Sequence, residues 1–203
     1  MFFSSDEVNQ ILGKIHWNNF ERDKLKFKGV SIDSRTSLSD DLFVAIKGSK
    51  YDGHDFLEEV FNKNIKAFVI CKRHRYLVPN NCAYWAVTDT ISAFHKLMLL
   101  RRRKLNIPVI AVTGSVGKTT TKEMMKEVLK SYGKIKISEK NFNNEIGVGL
   151  TINACHEEDK VLVLEMGMRG KGQIEVLSKF SEPNIAVITN IGTSHIGLLG
   201  SKD

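Results

Sequence analysis

Cysteine is scarce in this sequence, with only Cys71, Cys82 and Cys155 among 203 residues. They are odd in number and far apart, and no two form a C-x-x-C pair, which argues against a disulfide framework and a cysteine zinc site. Long apolar runs are lacking too: none approaches the roughly 20 residues that span a bilayer, so no membrane partner is expected. The opening Met-Phe-Phe-Ser-Ser-Asp-Glu meets acidic residues before any apolar segment develops and does not read as a secretory signal, so a cytoplasmic location is expected. Acidic residues are the minority charge, 23 against 30 Lys and Arg, for a formal net charge of +7. Such a surplus suits nucleic acid, a membrane surface or small polyanionic substrates. Its densest run, Arg101-Arg102-Arg103-Lys104, follows a helical apolar pattern of Ile91, Phe94, Leu97 and Met98. Cations on a helix's last turn meet its dipole favourably, which explains the run at least as well as a nucleic-acid patch.

What the chain does have is the stretch Val109 to Thr121, Val-Ile-Ala-Val-Thr-Gly-Ser-Val-Gly-Lys-Thr-Thr-Thr. An apolar β-branched run ending in Gly114, Gly117, Lys118 and Thr119, with a helical pattern after it, is how a phosphate cradle is built. The glycines let backbone N–H groups face an anion, Lys118 can reach the outer phosphates, and the Thr119 hydroxyl can ligate Mg²⁺. The common phosphate loop puts four residues between its first glycine and the Gly-Lys pair. Here Gly114 and Gly117 are closer, and Val112 stands where the longer pattern needs glycine, so a tight strand-to-helix turn is the competing reading.

Along the chain, residues 5 to 17 predict a short amphipathic helix with Val8, Ile11, Leu12 and Ile15 on one side. Short strands at 42–46 and 67–70 flank a helix at 55–62, giving a small mixed α/β domain over 1–88. Asp33-Ser34-Arg35 and the cluster Lys47-Gly48, Tyr51 to Asp55 are ordinary loops taken singly, but together they offer a pocket for an anionic ligand. From 89 to 203 the pattern becomes strand and helix in alternation: strands at 107–112, 134–137, 161–164 and 185–189, with helices at 118–130 and 172–180. Helices between continuous apolar strands indicate a parallel sheet covered on both faces. Ligands bind beyond the carboxyl ends of such strands. The phosphate loop, Glu165, the Asn141-Phe-Asn-Asn-Glu-Ile-Gly147 loop, and Asn190 with His195 all fall there. Glu165 takes the place of a Mg²⁺-binding acid, and Asn141, Asn143 and Asn144 suggest hydrogen bonds to substrate.

Together these motifs resemble the Mur ligase family. Thr113-Gly-Ser-Val-Gly-Lys-Thr-Thr-Thr-Lys-Glu123 is similar to that family's shorter phosphate loop, which resolves the spacing. Asn141 to Gly147, Leu164-Glu-Met-Gly-Met168 and Ile188-Thr-Asn-Ile-Gly-Thr-Ser-His195 match its next three blocks in order. Asp33-Ser-Arg35, Leu42 to Gly48 and Asp52-Gly-His-Asp-Phe56 resemble the N-terminal domain of members that add the third residue or the terminal dipeptide. The resemblance implies an ATP-dependent amide ligase of peptidoglycan precursor synthesis, working through an acyl phosphate on UDP-N-acetylmuramoyl-tripeptide with D-alanyl-D-alanine as the amine. It implies ATP at Thr113, Gly114, Ser115, Val116, Gly117, Lys118, Thr119 and Thr120, and Mg²⁺ at Thr119, Glu165 and His195. Lys118, Glu165 and His195 would carry the catalytic roles. The precursor would meet Ser34, Arg35, Lys47, Asp52, His54, Asn141, Asn143 and Asn144. A monomer without nucleic-acid partners is expected. Asp40, Lys66, Gly149 and Gln173 depart from the family pattern without removing a phosphate or metal ligand. Family members carry three domains and run to more than twice this length. The 89–203 domain is therefore expected to be an incomplete Mur ligase central domain, with the C-terminal domain absent and ligation not completed by this polypeptide alone.

Overall fold

The computed structural model describes residues 3–19, 24–139 and 141–192. The chain divides into two compact units, Met1–Leu97 and Met98–Asp203.

In the first unit, β1 (Phe3–Ser4) pairs with β3 (Lys26–Phe27), and Ser4 opens helix α1 (Ser5–Leu12) through a reciprocal capping box with Glu7. The helix expected to reach residue 17 stops at Leu12, because the chain turns at Gly13 into β2 (His16–Asn18). Asn9 fixes that turn: its Oδ1 accepts from the Ile15 N–H at 2.9 Å and from Trp85 Nε1 at 2.9 Å. The strands β4 (Gly29–Ser31), β5 (Asp41–Val44), β6 (Ala67–Cys71) and β7 (Cys82–Val87) run parallel, and β2 joins β7 antiparallel at one edge in the order β2-β7-β6-β5-β4. Phe43, Phe68 and Ile70 of the sheet pack on Leu57 and Val60 of α2 (Leu57–Asn62) in a buried core. Strand β7, with Tyr84 and Trp85 among apolar neighbours, was not anticipated in the sequence. The helix expected from 55 begins instead as a tight turn of helix at Gly53–Phe56.

His54 pins that turn to the sheet. It is 3% exposed, its Nδ1 lies 2.5 Å from Asp52 Oδ1, and its Nε2 accepts from the Cys71 N–H at 2.9 Å. An N–H donor facing Nε2 requires the neutral tautomer with its proton on Nδ1. Burial accordingly lowers the His54 pKa, against the raising pull of Asp52.

Helix α3 (Thr90–Lys104) runs from the first unit into the second. The second unit contains β8 (Val109–Thr113), α4 (Lys118–Leu129), β9 (Ile135–Ile137), α5 (Glu145–Asn153), β10 (Val161–Glu165), α6 (Gln173–Ser181) and β11 (Ile185–Ile188). The four strands form an all-parallel sheet in the order β11-β8-β10-β9. Central strands β8 and β10 are apolar up to their last residues, Thr113 and Glu165, because both faces are covered. Ile110, Val112, Val161 and Val163 bury one face against Met125 and Leu129 of α4. Helix α5, unforeseen in the sequence, is buried at Gly147, Val148, Gly149, Thr151 and Ile152. It shows no polar face and contains two glycines, so it carries neither the period nor the propensity that marks a helix. From β8 the chain crosses over β10 to reach β9, whereas from β10 it crosses over β8 to reach β11. The connections leaving these adjacent strands run in opposite directions, so their right-handed crossovers lie on opposite faces of the sheet and a crevice opens between the two carboxyl ends.

The basic run at the end of α3 is consumed by this unit. Arg101 is 2% exposed and its Nη2 donates to Cys155 O at 2.6 Å. Arg102, 8% exposed, donates to Ser181 O, Leu105 O, Glu182 O and Asn184 Oδ1 at 2.9–3.1 Å. Arg103 makes an exposed pair with Glu182.

Arg102→Ala strands several buried carbonyls at once and is expected to destabilise the second unit by about 3 kcal/mol in urea unfolding. Arg103→Ala, at an exposed pair, should change it little. His54 binds a proton more readily unfolded than folded, so its contribution is complete above its ordinary pKa near 6.5 and is lost as pH falls below it. The urea midpoint of the first unit should therefore fall between pH 7.5 and 5.5, and His54→Asn should flatten that difference; an equal slope in the variant would count against it.

Candidate functional site

The crevice between β8 and β10 is where the second unit gathers its polar side chains. β8 delivers Thr113 into Gly114, whose φ of +137° and approach to Thr189 leave no room for a side chain: an added Cβ would lie 2.1 Å from Thr189 Oγ1. Gly117, left-handed at φ +83°, turns the chain into α4, and no side chain among the described residues caps that helix. A helix start built on glycines with uncapped amides is an anion cradle. Lys118 folds over it, with Nζ donating to Gly114 O at 2.5 Å and Ser115 O at 3.2 Å.

A strap from the end of β11 braces the loop. Ser115 N–H donates to Asn190 O at 3.1 Å and Val116 N–H to Asn190 Oδ1 at 3.0 Å, while Thr189 Oγ1 donates to Val116 O at 2.6 Å. Gly192 N–H donates to Ser115 Oγ at 2.8 Å.

Glu165, the last residue of β10, is 2% exposed yet its carboxylate is fully engaged. Oε2 accepts from Thr119 Oγ1 at 3.0 Å and lies 3.4 Å from Lys122 Nζ; Oε1 accepts from Asn143 Nδ2 at 3.1 Å. Lys122, 0% exposed, also donates to Ser138 O at 2.8 Å. Ser138 Oγ in turn accepts from the Glu165 N–H at 3.1 Å. The Thr119 hydroxyl and Glu165 carboxylate form a compact set of hard oxygen donors at the mouth of a phosphate loop. Those donors fit Mg²⁺, which takes one or two protein oxygens and completes its shell with phosphate and water.

The three asparagines serve different ends. Asn143 reaches Glu165, Asn144 caps α5 by accepting from the Gly147 N–H at 2.8 Å, and Asn141 is exposed on a turn. Thr113 Oγ1 donates to Met166 O at 2.9 Å, tying β8 to β10. Thr120 is exposed on the first turn of α4. His195 lies outside the described residues.

In the first unit the predicted precursor residues follow the carboxyl ends of β4 and β5. Asp33 grips Arg35 with two hydrogen bonds, Nε at 2.9 Å and Nη2 at 2.6 Å, and the guanidinium holds the Asp33 carboxyl down at about 2. Ser34 is buried, its carbonyl accepting from Lys63 Nζ at 2.6 Å. Lys47 and Asp52 face each other through their backbones in an isolated antiparallel bridge across a turn. Arg35 and Lys47 thus remain at the surface, Arg35 with its charge matched by Asp33, whereas His54 has both ring nitrogens engaged inside the fold. Asp52, His54 and His74 each bring a ligand atom within 4.8 Å of the others. A cation there would have to displace either the Nδ1 proton or the Cys71 amide, so this cluster is not arranged for a metal.

Sequence reasoning missed Lys122 and Ser138 as parts of the site, and placed Asn190 on the rim without its role as a brace of the phosphate loop. Lys122 was the most findable: it falls on the face of α4 that also carries Thr119, at i+3, and a lysine there is spent inward.

Comparison with known proteins places this geometry. The Mur ligase middle domain model matches residues 112–203, and the model of the Mur ligase family catalytic domain matches residues 26–120. The UDP-N-acetylmuramoyl-tripeptide–D-alanyl-D-alanine ligase of Bacillus subtilis is 43% identical over 175 residues, 86% of this chain and 38% of that protein. The enzyme of the same name from Synechocystis is 39% identical over 178 residues, 88% of this chain and 39% of that protein. Among solved structures, MurF from Acinetobacter baumannii superposes with a TM-score of 0.85 at 33% identity, over 98% of this chain and 43% of that one. MurF from Thermotoga maritima in complex with ADP gives 0.77 at 32% identity, over 90% of this chain and 42% of that one. The chain thus spans about two fifths of the length of the proteins it matches. With two models of one family accounting between them for residues 26–203, and phosphate loop, strand-end acid and asparagine block in one crevice, the chain belongs to the Mur ligase family.

Proposed function

We propose that this chain carries the uridine-nucleotide site and the ATP-phosphate site of a UDP-N-acetylmuramoyl-tripeptide–D-alanyl-D-alanine ligase, the activity named for its relatives. The observation that carries this reading is the hydrogen bond from Thr119 to Glu165, which sets a hydroxyl and a buried carboxylate side by side at the mouth of a glycine-bounded helix start. In that reaction ATP phosphorylates the carboxylate ending the tripeptide, and the amine of D-alanyl-D-alanine displaces phosphate to form the amide. Charge builds on the transferring phosphoryl group, so the protein's part is positioning and electrostatic stabilisation.

Lys118 would exchange its loop carbonyls for the outer phosphate oxygens, and the first amides of α4 would bind the same anion. Thr119 and Glu165 would hold Mg²⁺, which supplies charge neutralisation between the phosphates. His195 is assigned to a second Mg²⁺ by family resemblance. Arg35 and Lys47 are the cations available to a diphosphate in the first unit, and a soluble monomer in the cytoplasm is the state in which we expect it to work.

Calorimetric titration tests the two sites separately. Mg·ADP should bind the wild-type chain, and Lys118→Ala should weaken it by on the order of a hundredfold, the loss of a charge-assisted contact. The same variant should leave binding of UDP-N-acetylmuramoyl-tripeptide unchanged, while Arg35→Ala and Lys47→Ala should weaken the precursor and spare ADP. Failure of the wild-type chain to bind either ligand would overturn the reading.

A further inference from the structure

Lysine is among the residues least often fully buried, and when it is buried it is paired. Lys122 is 0% exposed, three residues beyond Thr119 on α4. Its ammonium meets only protein oxygens among the described residues: Ser138 O at 2.8 Å, Glu165 Oε2 at 3.4 Å and the more exposed Glu123 Oε1 at 3.5 Å. It therefore has a different task from Lys118, whose ammonium lies over the phosphate loop.

Oε2 of Glu165 is also the oxygen that accepts from Thr119, the one on which the proposed Mg²⁺ donor set depends. A cation approaching it meets a carboxylate whose charge is already balanced by a fixed ammonium. Such an ion pair gives a bare dication little net attraction and adds repulsion across a few ångströms of protein interior. Nucleotide phosphates change the balance by bringing several negative charges and further oxygen ligands to the same point. Meanwhile the carboxylate does not wander, because Lys122 and Thr119 hold one oxygen and Asn143 the other.

We propose that Lys122 is a positioning residue that balances Glu165 and thereby makes Mg²⁺ binding conditional on nucleotide. The proposal rests on reading this crevice as a magnesium–nucleotide site, and its test separates the two. Mg²⁺ alone, ADP in EDTA, and ADP with Mg²⁺ are titrated calorimetrically into the wild type, Lys122→Met, Lys122→Gln, Glu165→Gln and the double variant K122M/E165Q. The wild type should bind ADP in EDTA weakly, bind it more tightly with Mg²⁺, and bind no Mg²⁺ alone at millimolar concentration. K122M and K122Q should bind Mg²⁺ alone at least about tenfold more tightly than the wild type, the sign expected when a like charge a few ångströms away is removed. In the E165Q background the same change at Lys122 should have no effect on Mg²⁺, as a role exercised through Glu165 requires.

Unchanged Mg²⁺ affinity in folded K122M or K122Q, or an equal gain in the double variant, would overturn the proposal. A second measurement needs no change at Lys122: Mn²⁺ followed by electron paramagnetic resonance should stay free in the presence of wild-type protein and become bound on adding ADP. Mn²⁺ held without ADP, and released by E165Q, would overturn it even if neither Lys122 variant folds. Absence of ADP binding by the wild type would instead count against the nucleotide reading, while the Mg²⁺-alone titrations would still decide the role of Lys122.

Discussion

A carboxylate held almost without solvent at the end of a fully buried strand is the constraint around which the second unit is arranged. Leaving Glu165 unpaired at 2% exposure would be prohibitive, so every element near it contributes a partner. α4 sends Thr119 and Lys122, the segment before α5 sends Asn143, and the residue following β9 offers Ser138 to the Glu165 amide. At the rim, Glu165 links these elements to one another beyond the apolar core and the strand ladder that they share. A stabilising interaction and a prospective binding interaction are here the same set of hydrogen bonds, and a metal–nucleotide ligand would rearrange a network rather than fill a gap.

Topology explains why that acid sits beside the phosphate loop. In a parallel sheet every strand's carboxyl end faces the same rim, and a crevice opens there between neighbouring strands whose connections leave to opposite faces of the sheet. The connections from β8 and β10 leave in opposite directions, and these are the two strands whose ends carry Thr113 and Glu165. Sequence separation of some fifty residues is thereby reduced to the spacing between neighbouring strands, about 4.8 Å.

This is also why so much of the site was legible in the sequence and why the remainder was not. Strands β8, β10 and β11 and helices α4 and α6 announce themselves through apolar runs or period, and the polar residue following each apolar run marks a rim position. Glu165 was found by that logic, and the phosphate loop by its glycines, lysine and threonine at the end of such a run. Helix α5 was hidden because burial on all sides erases the amphipathic signal and its glycines argue against a helix. β7 was hidden because Cys82 to Val87 mixes aromatic and small residues without alternation. The roles of Asn144 and His54 could not be read from residue type, since a capping asparagine and a ligand-binding one, or an inward histidine and an outward one, are the same letters. Only the partners distinguish them, the Gly147 amide in one case and the Cys71 amide in the other.

The separate motifs in fact have one shape between them. A side chain at Gly167 would begin 2.9 Å from the Asn143 carboxamide, so the glycine of the Glu-Met-Gly-Met block leaves room for the side chain that the asparagine block sends to Glu165. The Gly167 N–H also donates to Asn143 O at 2.8 Å, fixing the asparagine's backbone while its side chain grips the acid. Gly114 stands in the same relation to Thr189, the first strap residue after β11. These two blocks thus lack a side chain where another block needs the space. A substitution that looks conservative within one block acts on a different one: Gly167→Ala would displace Asn143 and loosen Glu165 without altering a single polar group. The blocks are therefore best understood as surfaces of a single cradle, whose parts are spread along the chain because each must ride on the end of a different strand.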